Sequence, residues 1–166
     1  MKEALFSKKY LVRRLNNSDV EIIYSLCKEN TLYYEYCPPF VTKESIIKDM
    51  EVLPKNKTPD EKYFVGYFEK DKLIAVADIV ENYPETGTIF IGFFMVEKSI
   101  QGKGIGSEMI SDFVAYAKLE NYKKIRLAWV KDNPQAEHFW TKNGFKFFKE
   151  TKGTDSYQVI LADRDL

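Results

Sequence analysis

A glycine-rich loop in the second half of the chain constrains its fold more than any other segment. The loop reads Gln101-Gly102-Lys103-Gly104-Ile105-Gly106, with glycines at alternate positions. The apolar segment Thr88 to Val96 before it is typical of a β-strand, and an amphipathic helix is predicted after it, over Ser107 to Leu119. Glycines let a backbone turn its N–H groups toward an anion at a helix N-terminus. This glycine loop therefore predicts a phosphate or pyrophosphate site.

Three other interpretations of the glycine loop compete with this one. No Gly-Lys-Ser/Thr triplet follows, which excludes the phosphate loop of a nucleotide triphosphatase. A dinucleotide fingerprint is disfavoured because Ser107 replaces the third glycine, five residues separate Val96 from Gly102, and no βαβ unit surrounds the loop. A glycine-rich turn without a ligand stays open on the spacing alone.

Hydrophobic periodicity predicts the remaining elements. A first strand at Tyr10 to Leu15 is followed by a helix capped by Asn17, Ser18 or Asp19, and a second helix starts near Thr42. The other predicted elements are strands at Tyr63 to Phe68, Leu73 to Val80, Thr88 to Val96 and Lys124 to Val130, a short helix between the cap Asn133 and Gly144, and a hairpin of Phe145 to Lys149 and Tyr157 to Leu161.

The order of these elements is β-α-α-β-β-β-α-β-α-β-β, which is neither a regular βαβ alternation nor all-β. It predicts an α/β fold of the mixed α+β kind, with one mixed, mostly antiparallel central sheet of about seven strands flanked by about four helices. At 166 residues with 45% hydrophobic content, we expect a single domain spanning residues 1–166.

Composition narrows the functional classes. The 25 Lys and Arg residues balance 25 Asp and Glu residues, so no global charge favours nucleic acid or a membrane surface. Cys27 and Cys37 are too few for a disulfide framework and have no partners at metal spacing, so we expect no metal and a cytoplasmic location. The oligomeric state stays open, including a homodimer.

Two segments together resemble a known enzyme family. The glycine loop resembles the Q/R-x-x-G-x-G/A signature of GNAT acetyltransferases. Asn133, Ala136, Phe139 and the run Asn143-Gly144-Phe145 resemble the family's N-x-x-A…G-F segment, and the resemblance covers about Tyr10 to Leu161. It implies an N-acetyltransferase that passes an acetyl group from acetyl-CoA to a primary amine by direct attack in a ternary complex.

The resemblance also implies which residues hold coenzyme A. In this family the loop amides bind the pyrophosphate, the preceding strand pairs with the pantetheine arm, and a backbone N–H of that strand holds the oxyanion. Asn133 is expected to hydrogen-bond the pantetheine as well as to cap a helix. The implied coenzyme A residues are Phe94, Met95, Val96, Gln101, Gly102, Lys103, Gly104, Ile105, Gly106, Ser107, Asn133, Phe139 and Trp140.

The catalytic groups are less clear from the sequence. Trp140 stands where many relatives have a tyrosine, and an indole N–H is not a useful acid, so Tyr33, Tyr34, Tyr36 and Tyr83 become candidate proton donors. The strand Thr88 to Val96 carries no carboxylate to act as a base. Asp78, a lone acid in an apolar strand, and Glu81 at the end of that strand are the candidates, each also explicable as a solvent-facing residue.

The segment between the first two helices is predicted to contact the acceptor. Its aromatic side chains either enclose a cationic amine by cation–π contact or pin the segment to the core. These residues are Tyr33, Tyr34, Tyr36 and Phe40. A small amine, an amino acid derivative or a peptide all remain as acceptors, and two alternatives stay open: an acyl-CoA-binding module without catalysis, and transfer of another acyl group or to an alcohol.

Overall fold

A computed structural model of the chain describes residues 1–153 and 157–166, in which seven strands and five α-helices are present. The strands are β1 (Leu11–Arg14), β2 (Lys62–Glu69), β3 (Lys72–Glu81), β4 (Thr88–Val96), β5 (Lys124–Val130), β6 (Lys146–Lys152) and β7 (Gln158–Asp165). The helices are α1 (Val20–Cys27), α2 (Thr31–Tyr36), α3 (Lys43–Glu51), α4 (Ile105–Leu119) and α5 (Pro134–Lys142).

The seven strands form one sheet in the order β1-β2-β3-β4-β5-β7-β6. Strands β4 and β5 are parallel, and every other neighbouring pair is antiparallel. Parallel neighbours need a crossover connection, which α4 supplies here. This arrangement confirms the predicted mixed, mostly antiparallel sheet.

Helices cover both faces of the sheet because successive residues of a strand point to opposite sides. On one face, Val76 of β3 packs with Ile23 of α1 and Ile46 of α3. On the other, Ala77 packs with Met109 of α4 and the rest of a larger cluster that includes Trp140 of α5. Each strand of the centre therefore supplies side chains to two cores.

Two local predictions needed correction. The first helix opens with a 3₁₀ turn at Asn17–Asp19, so its cap is Asn16, whose side chain accepts a hydrogen bond from Ser18 N. Asp19 pairs with Arg13 at 2.7 Å and also completes a capping box by accepting from Asn16 N at 3.0 Å. The segment between the first two predicted helices contains α2, which makes five helices in place of about four. This segment has a weak intrinsic preference for helix, and packing of its tyrosines against the core stabilises the turn.

Strand β4 separates from β5 halfway along its length. The last parallel pair joins Ile91 to Leu127, while the other edge of β4 stays paired with β3 as far as Val96. A β-bulge lies at the same point, since Ile79 of β3 pairs with Ile91 and Asp78 pairs with Phe93, which leaves Gly92 unpaired on that edge. Bulges bend a strand and re-aim its side chains. The diverging strands open a cleft in the sheet.

Candidate active site

The cleft between the diverging halves of β4 and β5 has a volume of about 580 Å³. Its inner walls are residues 91–96 of β4 and 128–130 of β5, and the glycine loop, α2 and α5 surround its mouth. The backbone groups of β4 that would face β5 have no partner here among the described strands. An extended ligand can therefore form backbone hydrogen bonds with β4 in the space between the diverging strands.

The glycine loop lies at one end of this cleft and needs its glycines for two different reasons. Gly102 and Gly104 have φ of +75° and +81°, a left-handed conformation that side chains with a Cβ rarely adopt. Gly106 is closely packed, since a Cβ there would lie 3.2 Å from the Phe139 ring. The first helical hydrogen bond of α4 runs from Glu108 N to Gly104 O at 3.0 Å, so the preceding amides have no carbonyl partner within the helix.

Gln101 anchors the loop to the end of β4. Its Nε2 donates to Val96 O at 2.8 Å and to Asn30 Oδ1. Asn30, which is buried, in turn donates to Leu26 O at 3.1 Å and to Val96 O at 3.4 Å. Sequence reasoning missed Asn30, because nothing in the residues around α1 marks it as a contact of a loop 71 residues away. Both amide side chains line the cleft.

Helix α5 forms a wall of the cleft beside the glycine loop. Asn133 is 6% exposed and caps the helix, accepting from Ala136 N at 3.0 Å, which leaves its NH₂ group to donate elsewhere. Phe139 stacks on Phe94 with ring centroids 5.9 Å apart, and Trp140 packs against the same ring. Asn143 lies just beyond the helix, and its Nδ2 donates a 3.1 Å hydrogen bond to the hydroxyl of Ser107 in α4.

The structure brings most of the expected coenzyme A residues to one cleft. Those that line it are Phe94, Met95, Val96, Gln101, Gly102, Gly104, Gly106, Ser107, Asn133, Phe139 and Trp140. Lys103 and Ile105 are not among the described lining residues. Lys103 points into solvent, and Ile105 packs against the core under α4.

Asp78 belongs to a buried ion pair beside the bulge of β4. Lys62 Nζ donates to Asp78 Oδ2 at 3.0 Å, and also to the carbonyl oxygens of Asp49 and Val52 at the end of α3. The side chains of Lys62 and Asp78 are 4% and 16% exposed. Asp78 Oδ1 is buried without a hydrogen-bond partner among the described residues. Burial raises the pKa of Asp78, and the Lys62 charge opposes that rise.

A glycine separates this carboxylate from the cleft. Gly92 lines the cleft, and a Cβ built on it would lie 3.3 Å from Asp78 Oδ2. Any larger residue at position 92 would fill the space between the carboxylate and the cleft. Asp78 itself is not among the described lining residues. A ligand in the cleft would therefore approach Asp78 past the backbone of Gly92, which carries no side chain.

Glu81 and Tyr83 lie outside the cleft lining. Glu81 accepts hydrogen bonds from the amino group of Met1 at 2.9 Å and from Tyr122 OH at 3.1 Å. It is three residues from Asp78 on a strand and so faces the opposite side of the sheet. Tyr83 packs edge-on against Phe90 in the turn after β3. The geometry provides neither residue with a route to the cleft.

Of the aromatic residues predicted to contact the acceptor, some line the cleft and others do not. Tyr33 lines the cleft and packs edge-on against Phe93, with centroids 5.5 Å apart, and burial raises its pKa well above the ordinary value. Tyr34 packs against Phe40 instead, and neither of these nor Tyr36 is among the described lining residues. Two residues that the sequence did not single out, Cys37 and Tyr157, line the cleft near Tyr33.

Residues 1–153 and 157–166 contain no group of three or more His, Cys, Asp or Glu side chains placed to hold a metal ion. Within the same ranges, none of the helices combines the length and the apolar character that crossing a bilayer requires.

Solved structures of several acetyltransferases have the same fold as this chain. An acetyltransferase from Thermus thermophilus superposes with a TM-score of 0.77 at 17% identity, over 95% of this chain and 97% of that one. The PaiA N-acetyltransferase of Thermoplasma acidophilum, solved in complex with coenzyme A, gives 0.67 at 18% identity, over 95% and 99%. A ribosomal-protein-alanine N-acetyltransferase from Brucella melitensis gives 0.65 at 15% identity, over 94% and 99%.

Sequence comparison gives the family. The model of the acetyltransferase (GNAT) family matches residues 24–145, which include the cleft walls, the glycine loop and α5. A comparison with curated proteins found no significant match. The chain belongs to the GNAT acetyltransferase family.

Proposed function

We propose that this protein is an acetyl-CoA-dependent N-acetyltransferase that acts on a primary amine by direct attack in a ternary complex. The observation that carries the proposal is the cleft where β4 leaves β5, because it joins a strand edge without a partner among the described strands to a helix start whose first amides have no carbonyl partner within the helix. The acceptor is a small amine, an amino acid derivative or a peptide terminus. The continuous sheet from β1 to β6 supports a single domain.

Features at both ends of this cleft support acetyl-CoA as the donor. The pyrophosphate of coenzyme A would rest on the amides of the glycine loop, where the helix dipole favours negative charge. The pantetheine arm would lie along residues 92–95 of β4 and meet the NH₂ group of Asn133. Val96 O already accepts from two side chains, so it is the least available of the strand's acceptors.

The reaction has a simple balance of atoms and protons. The ammonium of the acceptor loses one proton, and the neutral amine then attacks the thioester carbonyl. A tetrahedral oxyanion forms, and a backbone N–H of β4 is the donor suited to it. The C–S bond then breaks, the nitrogen loses its second proton, and the sulfur takes one up. The products are the amide, coenzyme A as the thiol and one proton.

We assign the first proton transfer to Asp78, acting through a water beside Gly92. Its Oδ2 lies on the side of Gly92, 3.3 Å from where a Cβ at that position would stand, and burial raises the pKa of its carboxyl, which makes it a better base than an exposed aspartate. Lys62 donates to the same oxygen and fixes the orientation of the group. Glu81 and Tyr83 have no part in this proposal, because their contacts lie away from the cleft.

We assign Tyr33 a role at the leaving sulfur. Trp140 stands where an acid was expected, and Tyr33 is the one tyrosine of the four sequence candidates in the described cleft lining. Because burial raises its pKa well above the ordinary value, the phenol keeps its proton and stabilises a thiolate by hydrogen bonding. Proton uptake by the sulfur then comes from water.

The direct test of the proposal is an enzyme assay. Purified protein is incubated with acetyl-CoA and a panel of primary amines, and free thiol is measured against a control without acceptor. We expect thiol release that depends on at least one amine, with the acetylated amine identified by mass spectrometry. Tight coenzyme A binding without any turnover would instead support an acyl-CoA-binding module, which the tryptophan at position 140 favours.

Replacing Gly104 tests where the pyrophosphate lies. Gly104→Val is expected to weaken coenzyme A binding by about 10- to 100-fold, since losing one or two charge-assisted amide contacts costs ~1.5–3 kcal/mol. Gly87→Val is a matched control, because Gly87 has a similar φ of +82° but lies in the turn between β3 and β4. Titration calorimetry on both folded variants separates lost binding from backbone strain, and equal affinities would refute the loop assignment.

A further inference from the structure

The cleft is bordered by side chains from both faces of the sheet. Phe94 of β4 lines the cleft and packs with Phe139 in the core beneath α4 and α5. Phe93, the residue before it, also lines the cleft but packs with Tyr33 of α2 against the core beneath α1 and α3. Consecutive residues of a strand point to opposite sides of a sheet. Helix α5 therefore borders one end of the cleft, and α2 borders the other.

Asp78 lies on the same face of the sheet as the end bordered by α2. It pairs directly with Phe93 in the ladder between β3 and β4. Directly opposed residues project to one face, with their Cβ atoms about 5 Å apart. Val76, two residues before Asp78, belongs to the same core as the rings of Phe93 and Tyr33. A carboxylate and a group of aromatic rings therefore lie side by side at this end of the cleft.

Aromatic rings form the wall at the end bordered by α2. Tyr33 and Phe93 meet edge to face, with an interplanar angle of 84°. Tyr157 lines the cleft just before β7 begins, and Val159 lines it two residues later. Aromatic rings prefer offset and edge-to-face contacts with further rings. This wall is suited to a ligand that carries an aromatic ring.

On the basis of the proposed function, we propose that the acceptor is an arylalkylamine, a primary amine joined to one aromatic ring by a short alkyl chain. Its ammonium would lie beside Gly92, where Asp78 takes up the proton through a water. Its ring would pack against Tyr33, Phe93 and Tyr157. The spacing of about 5 Å between opposed Cβ atoms keeps the alkyl chain short. Transfer of the acetyl group gives the N-acetyl amide, coenzyme A as the thiol and one proton.

A diamine is the competing acceptor, because aromatic rings also attract cations. Its second ammonium would have to leave water and lie among the rings. Asp78 already pairs with Lys62, and no Asp or Glu is among the described lining residues of the cleft. A cation without a counter-charge is costly to bury. The electrostatics of the described wall therefore favour an aromatic ring over a second cation.

A panel of matched amines, assayed with acetyl-CoA, tests the class of acceptor. Phenethylamine carries the ring, ethylamine lacks it, cyclohexylethylamine keeps the bulk without the aromaticity, and putrescine carries a second cation. We expect kcat/KM for phenethylamine to exceed that for ethylamine by about 100-fold or more, since even one methylene in an apolar pocket is worth about 10- to 200-fold. Cyclohexylethylamine should lie between these two amines, and putrescine should lie close to ethylamine.

Replacing Tyr157 tests the wall without changing a residue assigned to proton transfer or to the leaving sulfur. Tyr157→Ala should lower kcat/KM for phenethylamine by about tenfold and that for ethylamine by less than about twofold. A loss of folded protein would lower both values alike, so the ratio separates binding from folding. Tyr24→Ala is a matched control, because Tyr24 is a half-buried tyrosine of α1 outside the described lining, and it should keep the wild-type ratio.

Other outcomes overturn the inference in distinguishable ways. Equal kcat/KM values for phenethylamine and ethylamine, or an unchanged ratio in Tyr157→Ala, would show that the wall does not recognise a ring. A preference for putrescine would assign the wall to a second cation, and a peptide with N-terminal alanine that exceeds every amine would make the acceptor a peptide terminus. If acetyl-CoA bound but no acceptor were acetylated, the proposed function itself would fail.

Discussion

Replacing Asp78 with asparagine is expected to lower kcat by about 100-fold or more, the usual contribution of a general base. The affinity for acetyl-CoA should not change, because Asp78 does not line the part of the cleft assigned to coenzyme A. The amide oxygen of asparagine can still accept a hydrogen bond from Lys62, which also keeps its bonds to Asp49 O and Val52 O, so the variant should be less stable than the wild type but still folded. The measurement is steady-state kinetics with the best amine of the panel, alongside thermal melting.

The pH dependence of the rate separates a base from a structural residue. The carboxylate is the active form, and burial raises its pKa, so the wild-type rate should fall as the pH drops through that raised pKa. Asp78→Asn should lose this acidic limb. Asp71→Asn, in the exposed turn between β2 and β3, removes an equal charge and should keep the wild-type profile. A variant with asparagine at position 78 and an unchanged rate would rule out the assignment.

Replacing Lys62 with methionine is expected to cost about 3–5 kcal/mol in the free energy of unfolding at pH 7, the range for breaking one partner of a buried ion pair. The change leaves the carboxylate of Asp78 buried without a cation and removes the donor to Asp49 O and Val52 O. Urea unfolding gives the measurement. Lys72→Met, which breaks an exposed pair with Glu97, should cost less than about 1 kcal/mol.

The pH dependence of this loss has a defined sign. Without Lys62, the folded-state pKa of Asp78 rises further above its ordinary value of 3.8. The folded protein then binds a proton more readily than the unfolded chain, so stability falls as the pH rises through the window between 3.8 and the raised pKa. The deficit of Lys62→Met should therefore shrink as the pH is lowered into that window. The double variant Lys62→Met/Asp78→Leu should recover most of the loss, and a single variant no less stable than Lys72→Met would contradict the buried pair.

The parts of the fold that sequence predicted correctly depend on short-range physics. Asn133 and Pro134 begin α5 where a cap and a fixed φ are expected, and Gly144 follows its end with a φ of +81°. The strand predicted at Lys124 to Val130 has the same bounds in the structure. Such signals act within a few residues, so one sequence is enough to interpret them.

The parts that it missed depend on packing between distant segments. Helix α2 forms because its tyrosines pack against the core. Asn30 contacts Gln101 only because the fold brings α1 and the end of β4 together. Asp78 and Glu81 looked equivalent as acids on one strand. Their environments differ because Asp78 pairs with Lys62 on one face of the sheet, and Glu81 pairs with the amino group of Met1 on the other.

The glycine loop shows where the two kinds of information meet. Sequence alone indicated that a glycine-rich turn starts a helix, and hence that its backbone can turn amides toward an anion. Tertiary structure alone decided what those amides face. Strand β4 leaves β5 at Ile91, a bulge places Gly92 beside Asp78, and α5 packs against Gly106 to complete the cleft. Contacts between strands and helices far apart in the chain set this geometry, since burial and strand register are properties of the folded whole.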